Sequence, residues 1–254
     1  MRKETARLAC AIAMYSLLTA SPGFAQAEYQ LWGNVTLDWV KSHRLTYELD
    51  VWPQVLLDPP QGDPGWWELD ATPAVQYSPK RWLDLVGQVK VGYTKQTDDM
   101  NSVELTPSGG VRLHLFPQGL PVSPLRERVP SRRVVIRDLA RVESRNLLYM
   151  GAGSGSSSTV RCRNRLEVLV PLNRQKLTDT GARYVLADWE LFWPLDDPAE
   201  RYASKARIRA GVGYRRSVAW RYELLYVWNR SRNTIDEGFA TTNGAIDIRV
   251  RRVF

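Results

Sequence analysis

Charged residues recur at every second position in five segments of this chain. An arginine guanidinium can hold a carboxylate through two parallel hydrogen bonds, so acids and bases with this spacing can build an ion-pair network. Side chains two residues apart point to the same face of a β-strand. The spacing therefore predicts strands with one charged face, and we expect these faces to share a network of charged residues: Arg141, Glu143, Arg145, Arg163, Arg165, Glu167, Asp188, Glu190, Arg207, Arg209, Arg221 and Glu223.

Residues that commonly serve as metal ligands or general bases are scarce. The chain has 2 His and 2 Cys and contains no phosphate loop or Gly-x-Gly-x-x-Gly fingerprint, so we expect no metal, no cofactor and no catalytic residue. His43 follows Ser42 in a predicted turn, whereas His114 is predicted to point inward near Arg112. The alternative function is a lipid-modifying hydrolase that uses His114.

The first 27 residues have the pattern of a secretory signal peptide. A positively charged start is followed by a mostly apolar stretch at 8–20 and by the small-x-small sequence Ala25-Gln26-Ala27. We predict cleavage before Glu28, because the apolar stretch is short for the alternative, a membrane anchor. Cleavage would lower the net charge from +8 to +6 and leave Cys162 as the only cysteine, so no internal disulfide is expected.

Apolar and polar residues alternate with a period of two through the rest of the chain. This period is typical of β-strands, and turn residues such as those at 58–65 and 196–198 separate the segments. The Ser/Gly run at 151–158 is interpreted as a loop, since the alternation continues on both sides of it. The pattern predicts an all-β fold with about eleven strands, at 30–40, 43–53, 67–78, 82–95, 102–116, 133–149, 159–171, 182–193, 203–216, 218–231 and 241–254.

Two architectures fit this alternation: a soluble sandwich or barrel with apolar side chains inside, and a membrane barrel with apolar side chains outside. Trp220 and Trp228 share a predicted strand face and lie roughly 26 Å apart at about 3.3 Å per residue. A tilted strand would place them near the two edges of a membrane, where aromatic side chains gather. Trp189 and Trp193 would add to one edge, so the aromatic pattern favours the membrane barrel.

The strand count follows from a parity argument. Single-chain bacterial barrels have an even number of strands, with both chain ends in the periplasm. We therefore predict one transmembrane barrel of 10 to 12 strands over residues 28–254, with 12 preferred. The additional strand would come from the stretch 117–130 or from a division of 133–149.

The last strand ends in Phe254, with apolar side chains at alternate positions before it. This ending is similar to the carboxy-terminal signal of bacterial outer-membrane barrels, which predicts recognition by the barrel-assembly machinery. Arg252 departs from that signal, because an apolar or aromatic residue is expected there.

Several motifs resemble those of the domain-of-unknown-function 2490 family. They are Arg141-Val142-Glu143-Ser144-Arg145, Arg163-Asn164-Arg165-Leu166-Glu167, Ala187-Asp188-Trp189-Glu190-Leu191-Phe192 and Arg209-Ala210-Gly211-Val212-Gly213-Tyr214. The resemblance covers about residues 30–254 and is strongest from 137 onward. It implies an outer-membrane β-barrel of a Gram-negative bacterium, and it carries no established activity or catalytic residues.

If the apolar faces point outward, the interior has two unlike walls. Acidic residues outnumber basic ones on the first five strands, whereas arginines dominate the later strands. In a narrow barrel the walls would interlock as a salt-bridge plug, and in a wider one they would form a charged constriction. We expect a small pore, a binding barrel or a structural component.

The expected partners follow from this location. Outer-membrane lipid would surround the barrel, and basic residues near the outer surface could contact lipopolysaccharide phosphates. Nucleic acid is not expected, because the arginines alternate with lipid-facing apolar residues and lack exposed stacking platforms.

Overall fold

The computed structural model describes residues 28–57, 59, 65–95, 101–115, 120–122, 132–151, 154–196, 203–232 and 239–254. The predicted signal peptide, residues 1–27, lies outside these ranges. Within them no helix is long and apolar enough to cross a membrane.

All regular elements in the described residues are β-strands, so the predicted all-β class is confirmed. The eleven segments expected from the alternation each coincide with a long strand to within a few residues at most boundaries. The strands are β1 Glu28–Val40, β2 Leu45–Leu56, β3 Trp67–Lys80, β4 Leu83–Lys95, β5 Asn101–His114, β6 Leu120–Val122, β7 Arg132–Met150, β8 Gly155–Pro171, β9 Ala182–Pro194, β10 Lys205–Arg215, β11 Trp220–Ser231 and β12 Ala240–Val253.

Eleven of these strands form a closed barrel. Consecutive strands pair antiparallel from β1 to β5, β5 then pairs directly with β7, and antiparallel pairing continues to β12. The barrel closes between β12 and β1, which run parallel from Glu28↔Asn243 to Asp38↔Val253. The three-residue β6 pairs only with the first residues of β7 and lies outside the ring.

The count of eleven lies within the expected 10 to 12, but the parity argument that favoured 12 is wrong for the described barrel. In a meander with an odd number of strands, the first and last strands run in the same direction, and here they pair in parallel. Both ends of the barrel therefore cannot lie on one side. β6 does occur in the stretch 117–130 but does not join the ring, and β7 is one unbroken strand over the segment 133–149.

The parallel closure places the two chain ends at opposite openings of the barrel. We call the opening beside Glu28 the N-terminal mouth; it is the opening at which β2, β4, β7, β9 and β11 end. The opening beside Phe254 is the C-terminal mouth, where β1, β3, β5, β8 and β10 end. Short turns at 41–44, 81–82 and 216–219 lie at this mouth.

The two faces of each strand have opposite polarity. On β9, residues alternate between buried and exposed at every position from Ala182 to Glu190. The exposed outer positions on the barrel are largely apolar, such as Val212 (53% exposed) and Leu224 (51%), whereas inward-facing Arg209 and Glu190 are each 1% exposed. Charged side chains therefore fill the interior, and apolar ones cover the outside.

Two small apolar clusters also lie inside the barrel. One consists of Leu169, Tyr184, Leu186 and Leu225, near the C-terminal mouth, and the loop residue Leu177 packs against it. The other places Trp32 beside Val227 and Ala245, with Trp52 packed against them near the N-terminal mouth. These apolar side chains narrow the lumen next to the charged groups.

Candidate functional site: the charged lumen

All twelve charged residues predicted to form a network lie on inward-facing strand positions. Ten of them line a cavity of about 310 Å³ that side chains from all eleven barrel strands enclose. The other two, Asp188 and Glu190, are buried beside it and bind arginines that line it. The ten lining residues are Arg141, Glu143, Arg145, Arg163, Arg165, Glu167, Arg207, Arg209, Arg221 and Glu223.

Glu143 on β7 is the centre of one group of ion pairs. Its Oε1 accepts hydrogen bonds from Arg141 Nε at 2.7 Å and Arg163 Nη1 at 3.2 Å. Its Oε2 accepts one from Arg161 Nε at 2.7 Å. Three arginines thus share one carboxylate, which leaves this part of the lumen positively charged.

Arg209 on β10 is the centre of a second, fully buried group. Its Nε donates to Asp188 Oδ1 at 2.7 Å, and its Nη2 donates to Glu190 Oε2 at 3.2 Å. Glu190 also accepts a hydrogen bond from Arg163, which links this group to Glu143. The Asp-x-Glu spacing on β9 produces this arrangement, because both carboxylates face the lumen and the intervening Trp189 faces outward.

Lys90 on β4 is the corresponding centre on the acidic wall. Its Nζ lies 3.1 Å from Glu68, 2.9 Å from Asp70 and 3.3 Å from Glu104. Glu104 also binds Arg145 at 3.0 Å, so this cluster joins the predicted network across the β5–β7 pair. The twelve-residue prediction omitted the Lys90 cluster, although the same alternation of charges on β3 to β5 indicates it.

Ion pairs among the described residues run along the barrel wall and do not cross the lumen. They join residues of the same or adjacent strands, and the exception is Arg251 on β12, which reaches past β1 to Glu48 on β2. Ion pairs join the acidic and the basic wall where the two walls meet, between Arg145 and Glu104 and between Arg251 and the carboxylates of Asp38 and Glu48. Elsewhere the cavity separates the walls, so an interlocking of the walls across the lumen is not observed among the described residues.

Basic side chains dominate the lining of this cavity. Fourteen basic and eight acidic side chains line it. A second cavity of about 240 Å³ lies at the C-terminal mouth. Four arginines line both cavities and so mark the constriction between them: Arg112, Arg137, Arg221 and Arg251.

Phe192 is a lumen residue that the sequence reasoning did not single out. It is buried on β9 at the same strand parity as Asp188 and Glu190, which is the signal that could have identified it. The guanidinium carbons of Arg161 and Arg163 lie 5.2 and 4.8 Å from its ring centre. Lys205 Nζ and the guanidinium carbon of Arg207 each lie 5.9 Å from the same point.

Arg207 also contacts aromatic side chains across the lumen. Its guanidinium carbon lies 5.0 Å from the ring centre of Trp32 and 5.9 Å from that of Trp52. These two tryptophans belong to β1 and β2, so Arg207 on β10 lies between the two sides of the barrel. Not all tryptophans of this chain are therefore on its outer face.

The four tryptophans predicted to mark membrane edges lie on the outer face. Trp220 begins β11 at the C-terminal mouth, where it stacks on Tyr222, and Trp228 contacts Tyr226 toward the N-terminal mouth. Trp193 is the last residue but one of β9, near the N-terminal mouth, and Trp189 on the same strand is 51% exposed.

Phe254 lies at the closure of the barrel. Its ring stacks on Trp39 of β1 at 5.6 Å between ring centres. The guanidinium carbon of Arg252 lies 4.3 Å from the Phe254 ring and 5.1 Å from the Trp220 ring. Arg252, which departs from the expected carboxy-terminal signal, therefore lies between two outward-facing aromatic side chains.

The two histidines have different environments. His43 is exposed in the β1–β2 turn, whereas His114 Nε2 lies 2.8 Å from Asp84 Oδ2 at the C-terminal mouth. Ser78 donates its hydroxyl to the other oxygen of Asp84 at 2.7 Å. In the part of the chain that the structure describes, no three His, Cys, Asp or Glu side chains are grouped so that they could hold a metal ion.

Comparison with known proteins identifies a family for this chain but no individual relative. No curated protein and no solved structure matches this chain. The model of a family described as "Protein of unknown function (DUF2490)" matches residues 29–239, which span the barrel from β1 to the connection before β12. The chain therefore belongs to the DUF2490 family.

Proposed function

We propose that this protein is an integral outer-membrane β-barrel of a Gram-negative bacterium, exported by a cleaved signal peptide, whose lumen binds small charged solutes. The observation that carries the proposal is the polarity of the barrel, with apolar side chains outside and charged ones inside. A water-soluble barrel requires the reverse arrangement, because large exposed apolar surfaces associate in water.

The outer aromatic side chains support the membrane location. Trp220 with Tyr222 and Trp228 with Tyr226 lie toward opposite ends of β11, with apolar Leu224 exposed between them. Aromatic side chains at both edges of an apolar band are typical of barrels that cross a bilayer. The stacking of Trp39 on Phe254 adds aromatic surface at the C-terminal mouth.

The lumen favours solute binding over the free passage of a general porin. Fully buried side chains such as Arg209, Tyr184 and Leu225 occupy part of the interior, which narrows any path through it. A cavity of about 310 Å³ is at the small end of the range for ligand sites and far below a wide aqueous channel.

Fractionation of cells tests the membrane location. The protein is expected in the outer-membrane fraction and to migrate faster on a denaturing gel before boiling than after it, as a folded barrel does. A soluble periplasmic protein would contradict the proposal.

Planar-bilayer recording tests whether the lumen is an open channel. We expect no large, steady conductance steps, and porin-sized steps would overturn the binding role but not the location.

A lipid-modifying hydrolase is the second candidate. The observation that favours it is the Asp84–His114 pair at a barrel mouth, since such a pair can act as a general base. Ser78, however, donates its hydroxyl to Asp84 and so is not positioned by this contact as a nucleophile for His114. Lipid turnover by the purified protein that is lost in His114→Ala would establish this activity.

A further inference from the structure

Four positively charged side chains converge on one aromatic ring inside the lumen. Arg161, Arg163, Lys205 and Arg207 each place their charged group within 5.9 Å of the ring centre of Phe192, and all five residues line the larger cavity. Cations favour the face of an aromatic ring, but one ring cannot offset four of them. We call these five residues the Phe192 cluster.

Carboxylates do not balance the charge of this cluster. Within its ion-pair group, five arginines share three carboxylates: Arg141, Arg161, Arg163, Arg207 and Arg209 against Glu143, Asp188 and Glu190. Lys205 adds a sixth positive charge next to this group through its contact with Phe192. Lys205 has no carboxylate within 4.0 Å among the described residues. Unbalanced charge in a confined, poorly solvated space is costly unless a counter-charge joins it.

Unpaired hydrogen-bond donors face the same cavity. Trp52 and Arg145 line it, and the buried Trp52 Nε1 and Arg145 Nε have no hydrogen-bond partner in the described residues. The Trp52 ring is also close to Arg207, which connects it to the Phe192 cluster. A ligand rich in acceptor oxygens would satisfy these donors, whereas a second cation would not.

From this arrangement we propose that the Phe192 cluster is a binding site for a small, multiply charged oxyanion, such as a phosphate group on a small molecule. Guanidinium groups bind phosphate oxygens through paired hydrogen bonds, and a dianion neutralises more of the excess charge than a carboxylate can. Lys205 is the first residue of β10 and is exposed at the N-terminal mouth. The anion therefore enters the lumen from that side. The site deepens the proposed lumen function by naming its ligand class.

Calorimetric titration of the purified, folded barrel with pyrophosphate, orthophosphate, sulfate and chloride tests the site. We expect binding in the order pyrophosphate, then orthophosphate and sulfate, with chloride weakest. Lys205→Gln is the most informative variant, because it removes a charge without breaking an ion pair. Its affinity for pyrophosphate is expected to fall about tenfold, the effect of losing one well-placed charge, and Arg207→Gln is expected to lose more.

Arg216→Gln is the matched control, since Arg216 is exposed in the turn at the opposite mouth. It should bind pyrophosphate like the unaltered protein. Absence of anion binding in the unaltered barrel would overturn the proposal, as would unchanged affinity in folded Lys205→Gln and Arg207→Gln. Neither result would affect the membrane location, because fractionation and gel migration test it separately.

Discussion

Arg251 on the last strand donates two hydrogen bonds to Asp38 on the first strand, across the parallel pair that closes the barrel. Nη2 lies 2.7 Å from Oδ1, Nε binds Oδ2, and the same guanidinium reaches Glu48 at 2.6 Å. Parallel pairing is slightly less stable per residue than antiparallel pairing. Side-chain hydrogen bonds across this closure therefore contribute more to the stability of the barrel. The backbone adds Phe254 N to Asp38 O at 2.8 Å.

Arg251→Gln should therefore weaken the closure. It leaves two carboxylates without their shared cation, and breaking a buried pair in this way costs about 3 kcal/mol. The measurement is the urea concentration at which half of the protein loses its fast, unboiled gel migration. Arg216→Gln in an exposed turn serves as the control, and equal midpoints for the two variants would contradict a role of Arg251 in closure.

The parallel closure also predicts on which side of the membrane introduced cysteines can be labelled. Tyr29 is the second residue of β1 and Ala240 is the first residue of the parallel β12, so both lie at the N-terminal mouth, whereas Ser217 lies in a turn at the C-terminal mouth. In a Cys162→Ser background, Tyr29→Cys and Ala240→Cys should react alike with a membrane-impermeant maleimide on intact cells, and Ser217→Cys should differ. An even-stranded barrel would instead place Tyr29 on the side of Ser217.

The sequence predicted the strands well because alternation is a local signal. Each inward Asp, Glu or Arg is flanked by outward residues, and this pattern located Asp188 and Glu190 on one face without any knowledge of pairing. Closure is different, because it depends on how strands far apart in sequence meet. No local pattern distinguishes the parallel β1–β12 pair from an antiparallel one. The prediction of 12 strands therefore depended on the general rule that such barrels have an even number of strands, which this barrel does not follow.

The site was predicted only in part for a related reason. Charge and spacing identified Arg163 and Arg207, but an aromatic residue such as Phe192 fits an outer or an inner face equally well. Its inward position becomes clear only from Asp188 and Glu190, which show that the even-numbered residues of β9 face the lumen. The partners of each arginine also depend on strand register, which alternation does not determine.

Gly213, within the motif Arg209-Ala210-Gly211-Val212-Gly213-Tyr214, makes room for Tyr184. A Cβ at position 213 would lie 2.1 Å from Tyr184 Cζ, so the ring lies directly over this glycine. That position lets the Tyr184 hydroxyl donate to Glu223 at 2.7 Å. Gly213→Ala should displace the ring and lower barrel stability by about 1–3 kcal/mol, the usual cost of overpacking.

Gly87→Ala is the matched control for this substitution, because a Cβ there would meet nothing within 4 Å. Urea titration of gel migration should show a lower midpoint for Gly213→Ala and little change for Gly87→Ala. Tyr184→Phe should show a smaller loss, about 1 kcal/mol for one hydrogen bond. If Gly213→Ala were as stable as Gly87→Ala, the close contact with Tyr184 would not be a constraint on this motif.

Lys90 is expected to be the most sensitive single position of the acidic wall. Its ammonium group contacts three carboxylates, of which Asp70 and Glu104 are buried. Lys90→Met would leave Glu68, Asp70 and Glu104 to repel one another, with Arg145 as the remaining cation on Glu104. We expect a stability loss of about 3–5 kcal/mol, as for other buried pairs that lose one partner.

A second substitution tests whether repulsion between carboxylates causes this loss of stability. In Lys90→Met with Asp70→Asn, one of the buried negative charges is removed, so part of the lost stability should return even though the lysine is still absent. Lys41→Met, in an exposed turn, controls for the loss of a lysine as such. If Asp70→Asn restored no stability, repulsion among these carboxylates would not be the cause of the loss in Lys90→Met.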